Sequence, residues 1–286
     1  MKKIILLIFV VTLSVSCNTE EKVTISDLDT STPVLTELDV WLRDNFVVPY
    51  NIDVQYEWDD DEVDFNRFLF PPKVERVKQA MEAVKTVWID SYSQVGGEDF
   101  VKIIAPRSII LVGGENRNSN GSSTLGYAEG GKKIVFFNVD LTDYSDRDFD
   151  YRFSVTTFLN TIQHEYVHIL NQTIPFDEPT YSQITPGHYT AQWQLFSDID
   201  SRELGYITAY ARANPSEDFA EMVSVMLSYG KTDYDALIEG ITSEEAKQNL
   251  RVKEAFVVEY YKKEFGIDLY ELQSVVAANI DKVIVP

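Results

Sequence analysis

Residues 156–173 read T-T-F-L-N-T-I-Q-H-E-Y-V-H-I-L-N-Q-T. They hold two of the chain's three histidines, His164 and His168, with Glu165 directly after the first. On a helix, side chains four apart share a face with Cβ atoms about 5–6 Å apart, so two imidazoles can reach one metal ion. Glu165 is rotated by one residue and can address a water on that ion. H-E-x-x-H thus encodes two zinc ligands and a general base. Alone it leaves a structural zinc, or a chance pattern on a helix, equally open.

Catalytic zinc has three protein ligands and one open position, so the rest of the chain is searched for a third. His188, in T-P-G-H-Y-T, is the remaining histidine. The three-histidine motif H-E-x-x-H-x-x-G-x-x-H needs a glycine and a histidine that the residues after His168 lack, which leaves His188 as a loop or cleft residue. The other candidate is N-P-S-E-D-F-A-E at 214–221. Asn214 reads as an N-cap and Pro215 as a first helical residue, with Phe219, Met222, Val223, Met226 and Leu227 on the buried face. An Asn-x-x-Glu capping box accounts for Glu217 but not for Glu221 one turn on. A ligand, Glu217, followed by a carboxylate, Glu221, that orients a ligating histidine accounts for both. Asp218 is the alternative ligand, about 100° round the helix from Glu217.

Tyr210-Ala211-Arg212-Ala213-Asn214 runs into this segment, and the combined pattern Y-x-R-x-N-x-x-E-x-F-A-E resembles the second active-site segment of anthrax lethal factor-type zinc proteases. The match covers 162–171 and 210–223. It implies a gluzincin-type (H-E-x-x-H…E) site in which Glu217 binds Zn2+, Glu221 supports the site and Tyr210 acts on the substrate carbonyl. Beyond these segments the chain is similar to zinc metallopeptidase lipoproteins of Bacteroidetes, often found with outer-membrane nutrient importers. The implied reaction is hydrolysis of a peptide bond in a peptide or protein substrate. One zinc ion on His164, His168 and Glu217 activates the water, Glu165 moves the proton, and Tyr210 supports the developing oxyanion. A lipoprotein that has lost catalysis and binds a ligand or an importer is the competing reading.

The N-terminus carries its own signal. Met1-Lys2-Lys3 is a short positive segment and 4–16 is apolar and small, which reads as a secretory signal peptide over 1–16. L-S-V-S-C at 13–17 resembles the lipobox of bacterial lipoproteins, which implies lipid on Cys17, a tether over 17–33 and a membrane contact through that lipid alone. An ordinary signal peptide with an incidental cysteine is the plainer reading. Asn18-Thr19-Glu20-Glu21-Lys22 resembles the acidic export signal of surface lipoproteins in Bacteroidetes. It suits an outer-membrane lipoprotein on either face, the surface slightly favoured, and equally a plain polar linker. Cys17 is the sole cysteine, so no disulfide forms within the chain and no thiolate nucleophile is available once it is lipidated. Losing Lys2 and Lys3 leaves 23 basic residues against 46 acidic ones. That charge disfavours nucleic-acid partners.

From 34 to 286 the pattern predicts one α+β domain of zincin-like metallopeptidase type, with an N-terminal α/β part to about 175 and a helical part after it. Helices are expected over 35–46, from Pro71-Pro72 to Trp88, over 241–265 (Thr242 and Glu245 as a capping box) and over 269–280. Alternation predicts a strand over 51–58, and S-I-I-L-V at 108–112 a buried one. Residues 113–123 read as loop. Strands 124–128 and 133–139 flank Glu129-Gly130-Gly131-Lys132 as a hairpin. Asp59-Asp60-Asp61-Glu62 reads as a solvated turn, and Asp140, Asp143, Asp146, Asp148 and Asp150 as loop solvation near a helix N-terminus. The resemblance adds a small mixed or antiparallel sheet with an edge strand beside the H-E-x-x-H helix, where substrate can pair as an extra strand.

Overall fold

After Ser108 the run S-I-I-L-V is apolar because its strand is covered on both faces. Ile109 and Leu111 point into the main core, while Ile110 and Val112 join Val135 and Phe137 in a smaller cluster opposite. The computed structural model describes residues 34–58, 66–141 and 149–284. The signal peptide, the tether with Cys17, the run Asp59–Glu62 and Asp143, Asp146 and Asp148 lie outside them.

A first helix, α1, starts at Glu37–Leu42 and continues through a π-helical turn, Arg43–Val47, to Val48–Tyr50. It ends where Asn51 adopts φ 55°. β1 is only Asp53–Gln55, shorter than the alternation over 51–58 suggests, because only these residues find a partner strand. α2 begins at Val74–Val84, after rather than at the proline pair. It passes through a π-helical turn at Lys85–Ile89 and runs on to Asp90–Gly96, beyond Trp88. A short helix, α3 (Glu98–Ile103), leads to β2 (Ser108–Leu111). The expected loop 113–123 contains a small antiparallel ribbon, β3 (Asn116–Arg117) with β4 (Ser123–Thr124).

The expected hairpin is β5 (Gly126–Glu129) with β6 (Lys133–Phe136), turned by Gly130 and Gly131 at φ 60° and 67°. Its strands are shorter at their outer ends than the sequence indicates. The sheet order is β1-β2-β6-β5; β1, β2 and β6 are parallel and β5 is antiparallel to β6. The sheet is therefore mixed, with β5 at one edge. Phe137 donates its N–H to the Leu125 carbonyl. By antiparallel alternation, residues 125, 127 and 129 bond to β6, and the N–H and C=O groups of Gly126 and Ala128 face the outer edge. Among the described residues no strand pairs on that side.

The helix α4 (Phe149–Thr173) carries the two histidines and lies along β5. A Cβ on Gly126 would stand 2.8 Å from Thr161 Cγ2 and 3.2 Å from Glu165 Cγ. Any larger residue there would push the edge strand off the helix. Val155, Leu159, Ile162, Tyr166, Ile169 and Leu170 are buried at helical spacing and anchor α4 in the main core. After it come α5 (Glu178–Ser182), α6 (Asp198–Arg202), α7 (Pro215–Glu239), α8 (Glu244–Phe265) and α9 (Leu269–Ile284). α8 is capped by Ser243, whose hydroxyl accepts from the Ala246 N–H, rather than by a Thr242–Glu245 box. The Glu203 carboxylate takes the N–H groups of Thr242 and Ser243, both at 2.8 Å, so Thr242 is held as part of the incoming chain. Among the described residues no helix is long and apolar enough to cross a membrane.

α7 runs antiparallel to α4. Glu217 meets His168 and His164, Glu221 meets His164, and Ser228 donates to Asn160. At Gly230 (φ 70°) α7 breaks its helical path where Ala277 of α9 crosses closely. Two long helices thus carry His164, Glu165, His168, Glu217 and Glu221 beside the sheet edge.

Candidate metal centre

Asn214 caps α7 as its sequence indicates: its side-chain oxygen accepts from the N–H groups of Ser216 and Glu217 at 2.9 and 3.1 Å. With the backbone end satisfied, the Glu217 side chain does not fold back into a capping box. It turns instead to α4, where Oε2 lies 3.0 Å from His164 Nε2 and 3.2 Å from His168 Nε2. The two Nε2 atoms are themselves 3.0 Å apart. Among the described residues these three side chains form the group of His, Cys, Asp and Glu placed to share one ion.

This donor triangle fits zinc. With Zn–N and Zn–O bonds of about 2.0–2.1 Å, tetrahedral ligand atoms stand about 3.3 Å apart. Two imidazole nitrogens and a carboxylate oxygen turned toward one point form a close set of acceptors that a cation satisfies. The chemistry is that of a site with three protein ligands and a fourth position for water or substrate.

Behind the triangle, His164 Nδ1 donates to Glu221 Oε1 at 2.7 Å, and Glu221 Oε2 accepts the Thr208 hydroxyl at 2.6 Å. Thr208 Oγ1 also takes the Ala211 N–H, which fixes the hydroxyl's direction. In the neutral His164 ring this leaves the Nε2 lone pair facing the triangle. Burial opposes charge on the His164 ring, but hydrogen bonds to Glu217 and Glu221 outweigh it and hold its pKa well above 6.5. Burial would raise Glu217 as well, yet the two imidazoles overcome this and hold its carboxyl far below the usual range.

Glu165 is buried, and its Oε2 has no hydrogen-bond partner in the protein. Burial raises its pKa, partly offset by the two histidines. Tyr210, in a 3-10 turn at Tyr210–Arg212, stacks its ring 5.7 Å from that of His164 at 28°. Burial, then the carboxylates of Glu217, Glu165 and Glu221, push its phenol up, so the proton stays on and remains available for donation.

The structure thus brings together His164, Glu165, His168, Tyr210, Glu217 and Glu221. Asp218, the alternative ligand, points the other way. It is fully buried and accepts from Lys253 Nζ at 2.6 Å and the Tyr189 hydroxyl at 2.9 Å. His188 is exposed and stands outside the ligand group; its carbonyl accepts from Arg212 Nε.

Three supports went unread in the sequence. Thr208 carries no local pattern that marks it. Trp193, at the start of a short 3-10 turn (Trp193–Leu195), packs edge-on against Tyr210 at 4.8 Å. Lys253, wholly buried in α8, also donates to the Gly205 carbonyl and sits 4.1 Å over the Tyr206 ring. A lysine on an apolar helix face was its one available signal.

Comparison with known proteins gives the following. The family model described as "Putative zinc-binding metallo-peptidase" matches residues 31–270. A crystal structure of a "putative zinc-binding metallo-peptidase" from Bacteroides caccae is similar at 31% identity with a TM-score of 0.69, covering 86% of this chain and 92% of that one. No curated protein matches. A model spanning most of the chain, and a solved relative aligned over nearly its full length, place this protein in the family of putative zinc-binding metallo-peptidases.

Proposed function

We propose that this chain is a zinc-dependent peptidase of the cell envelope that hydrolyses peptide bonds in extended substrates, anchored through lipid on Cys17. The observation that carries the catalytic reading is the triangle of His164 Nε2, His168 Nε2 and Glu217 Oε2 with Glu165 one residue from the first ligand. Zinc, when bound there, supplies Lewis acidity that polarises the scissile carbonyl and acidifies a water. Glu165 takes the proton of the attacking water on its unpartnered oxygen. As the C–N bond breaks, it delivers that proton to the leaving nitrogen. Tyr210 donates its phenolic hydrogen to the carbonyl oxygen as negative charge grows there. The outer edge of β5, where Gly126 and the Ala128 carbonyl face outward and the Ala128 N–H reaches the Glu165 carboxylate, offers main-chain partners that hold a substrate strand in line with Glu165. The lipobox-like L-S-V-S-C supports the envelope location, the acidic run after Cys17 supports the outer membrane, and the similarity to Bacteroidetes lipoproteins supports an importer as partner.

Zinc content measured on the purified protein, together with digestion of a mixed peptide library with and without a chelator, tests the catalytic reading. Stoichiometric zinc with chelator-sensitive cleavage is expected. Zinc without any cleavage would instead identify a binding lipoprotein.

A further inference from the structure

Arg212 belongs to the Y-x-R-x-N pattern, yet the reaction as described makes no use of it. It closes the 3-10 turn that carries Tyr210 and is only 5% exposed. Its Nε donates to the His188 carbonyl at 3.1 Å, and its guanidinium carbon lies 3.9 Å from the centre of the Phe196 ring. Its own carbonyl accepts the Thr190 N–H at 2.7 Å. One residue thus grips the connection between α5 and α6 at positions 188, 190 and 196. Further along that connection the backbone bonds are local. Gln192 N–H donates to the Thr190 hydroxyl, Leu195 N–H to the Gln192 carbonyl and Phe196 N–H to the Trp193 carbonyl. Such bonds shape the segment without fixing it to the body of the protein. Trp193 sits inside the gripped stretch, with its ring against Tyr210.

We infer that Arg212 is a positioning residue for peptide hydrolysis: by clamping the segment 188–196 it seats Trp193 against Tyr210 and so fixes the phenol beside His164; the inference rests on the peptidase reading above. The backbone of the Tyr210 turn is already held from another side. Ala209 N–H donates to Asp198 Oδ1 at 2.7 Å, and Ala211 N–H to the Thr208 hydroxyl at 3.1 Å. What is left to settle is the rotation of the Tyr210 side chain. Its ring touches His164 on α4 and Trp193 on the clamped segment, so a displaced Trp193 gives the phenol room to turn away. Arg212 does not touch substrate itself, because it is enclosed and its Nη1 is buried. An arginine suits the place. Its planar fork donates from an edge to a carbonyl while its face lies on a ring, which a lysine ammonium on a flexible stem does not reproduce.

The test uses the full-length zinc-loaded protein and a library peptide that the wild type cuts. In Arg212→Lys, kcat should fall by about 10–100-fold with KM changed by less than about twofold, since a donor used in the transition state is misplaced. In a Tyr210→Phe background the same substitution should cost less than about twofold, because no phenolic hydroxyl remains to misplace. Phe196→Leu, at a position 42% exposed and so tolerant of change, should act in the same way to a smaller extent, and it serves if Arg212→Lys does not fold. Zinc content should be unchanged in all of them. A second measurement needs no turnover: fluorine NMR of protein labelled with fluorotryptophan, where Trp193→Phe identifies its signal among the four tryptophans. Arg212→Lys should shift that signal and leave the others in place. An unchanged kcat, an equal loss with and without the Tyr210 hydroxyl, or an unmoved Trp193 signal would overturn the positioning role. Absence of cleavage by the wild type, with the Trp193 signal shifted as expected, would overturn the peptidase reading and leave the clamp standing.

Discussion

Glu221 grips His164 from behind: its Oε1 accepts from His164 Nδ1 at 2.7 Å while its other oxygen is held by Thr208 at 2.6 Å. A ligand imidazole oriented this way is more basic and loses less freedom on binding metal. Glu221→Ala should weaken zinc affinity by about 10–100-fold, and Thr208→Val should do so by less, since it frees Glu221 without removing it. Competition with a chromophoric zinc chelator measures both. Equal affinity in Glu221→Ala and wild type would show that the carboxylate is a packing residue.

Glu165→Gln keeps the shape of the side chain and removes the proton acceptor. Cleavage should fall to background while metal analysis still finds one zinc per chain. Proteolysis that survives in this variant removes Glu165 as the base.

Tyr210→Phe removes one hydrogen-bond donor and keeps the ring stacked on His164. A fall in kcat of about 10²–10³ with little change in KM is the expected pattern for a donor used only in the transition state. An unchanged kcat assigns Tyr210 to packing.

In the metal-free protein burial disfavours a charged His164, and Glu217 and Glu221 reverse this, raising its pKa well above 6.5. The stability contributed by the charged ring is therefore complete below about pH 6.5 and lost as pH rises through the higher folded value. Zinc requires the neutral ring. At pH 7 ion binding should expel about one proton, and affinity should rise by up to about tenfold per pH unit. Glu217, held low, contributes no proton. Calorimetry in two buffers of different ionisation enthalpy counts the proton, and a zinc affinity independent of pH would contradict the assignment.

The Lys253–Asp218 pair is wholly buried, with burial raising the carboxyl and lowering the ammonium against their mutual attraction. Lys253→Met strands a buried carboxylate directly beside Glu217. A loss of about 3–5 kcal/mol is expected, with the thermal midpoint lower by roughly 10 °C in a domain of this size. Lys253→Met combined with Asp218→Leu should recover much of it. Equal stability of the single variant and wild type would mean the pair is dispensable.

What the sequence revealed of this site was local. Asn214, Pro215 and the spacing of Glu217 and Glu221 announce a helix start and a face, and H-E-x-x-H announces its counterpart; each pattern lies within two turns. Thr208, Trp193 and Lys253 act through contacts between segments far apart in the chain, which no local pattern encodes. The same division runs through the fold. The apolar run at 109–112 shows its burial in every residue, whereas the length of β1 depends on how far β2 can pair with it. Thr242 and Ser243 are equal as caps by chemistry, and it is Glu203, forty residues away from Ser243, that decides between them.

The outer edge of β5, if substrate pairs there, makes recognition a matter of chain shape before it is one of side chains. A segment can pair with Gly126 and Ala128 only after its own backbone groups are released from a helix or sheet. A stably folded target is then cut at the rate at which its segments open, so the proposed enzyme would act as a sensor of local unfolding. Loose termini and denatured proteins would be degraded, and well-packed neighbours would be spared without any inhibitor.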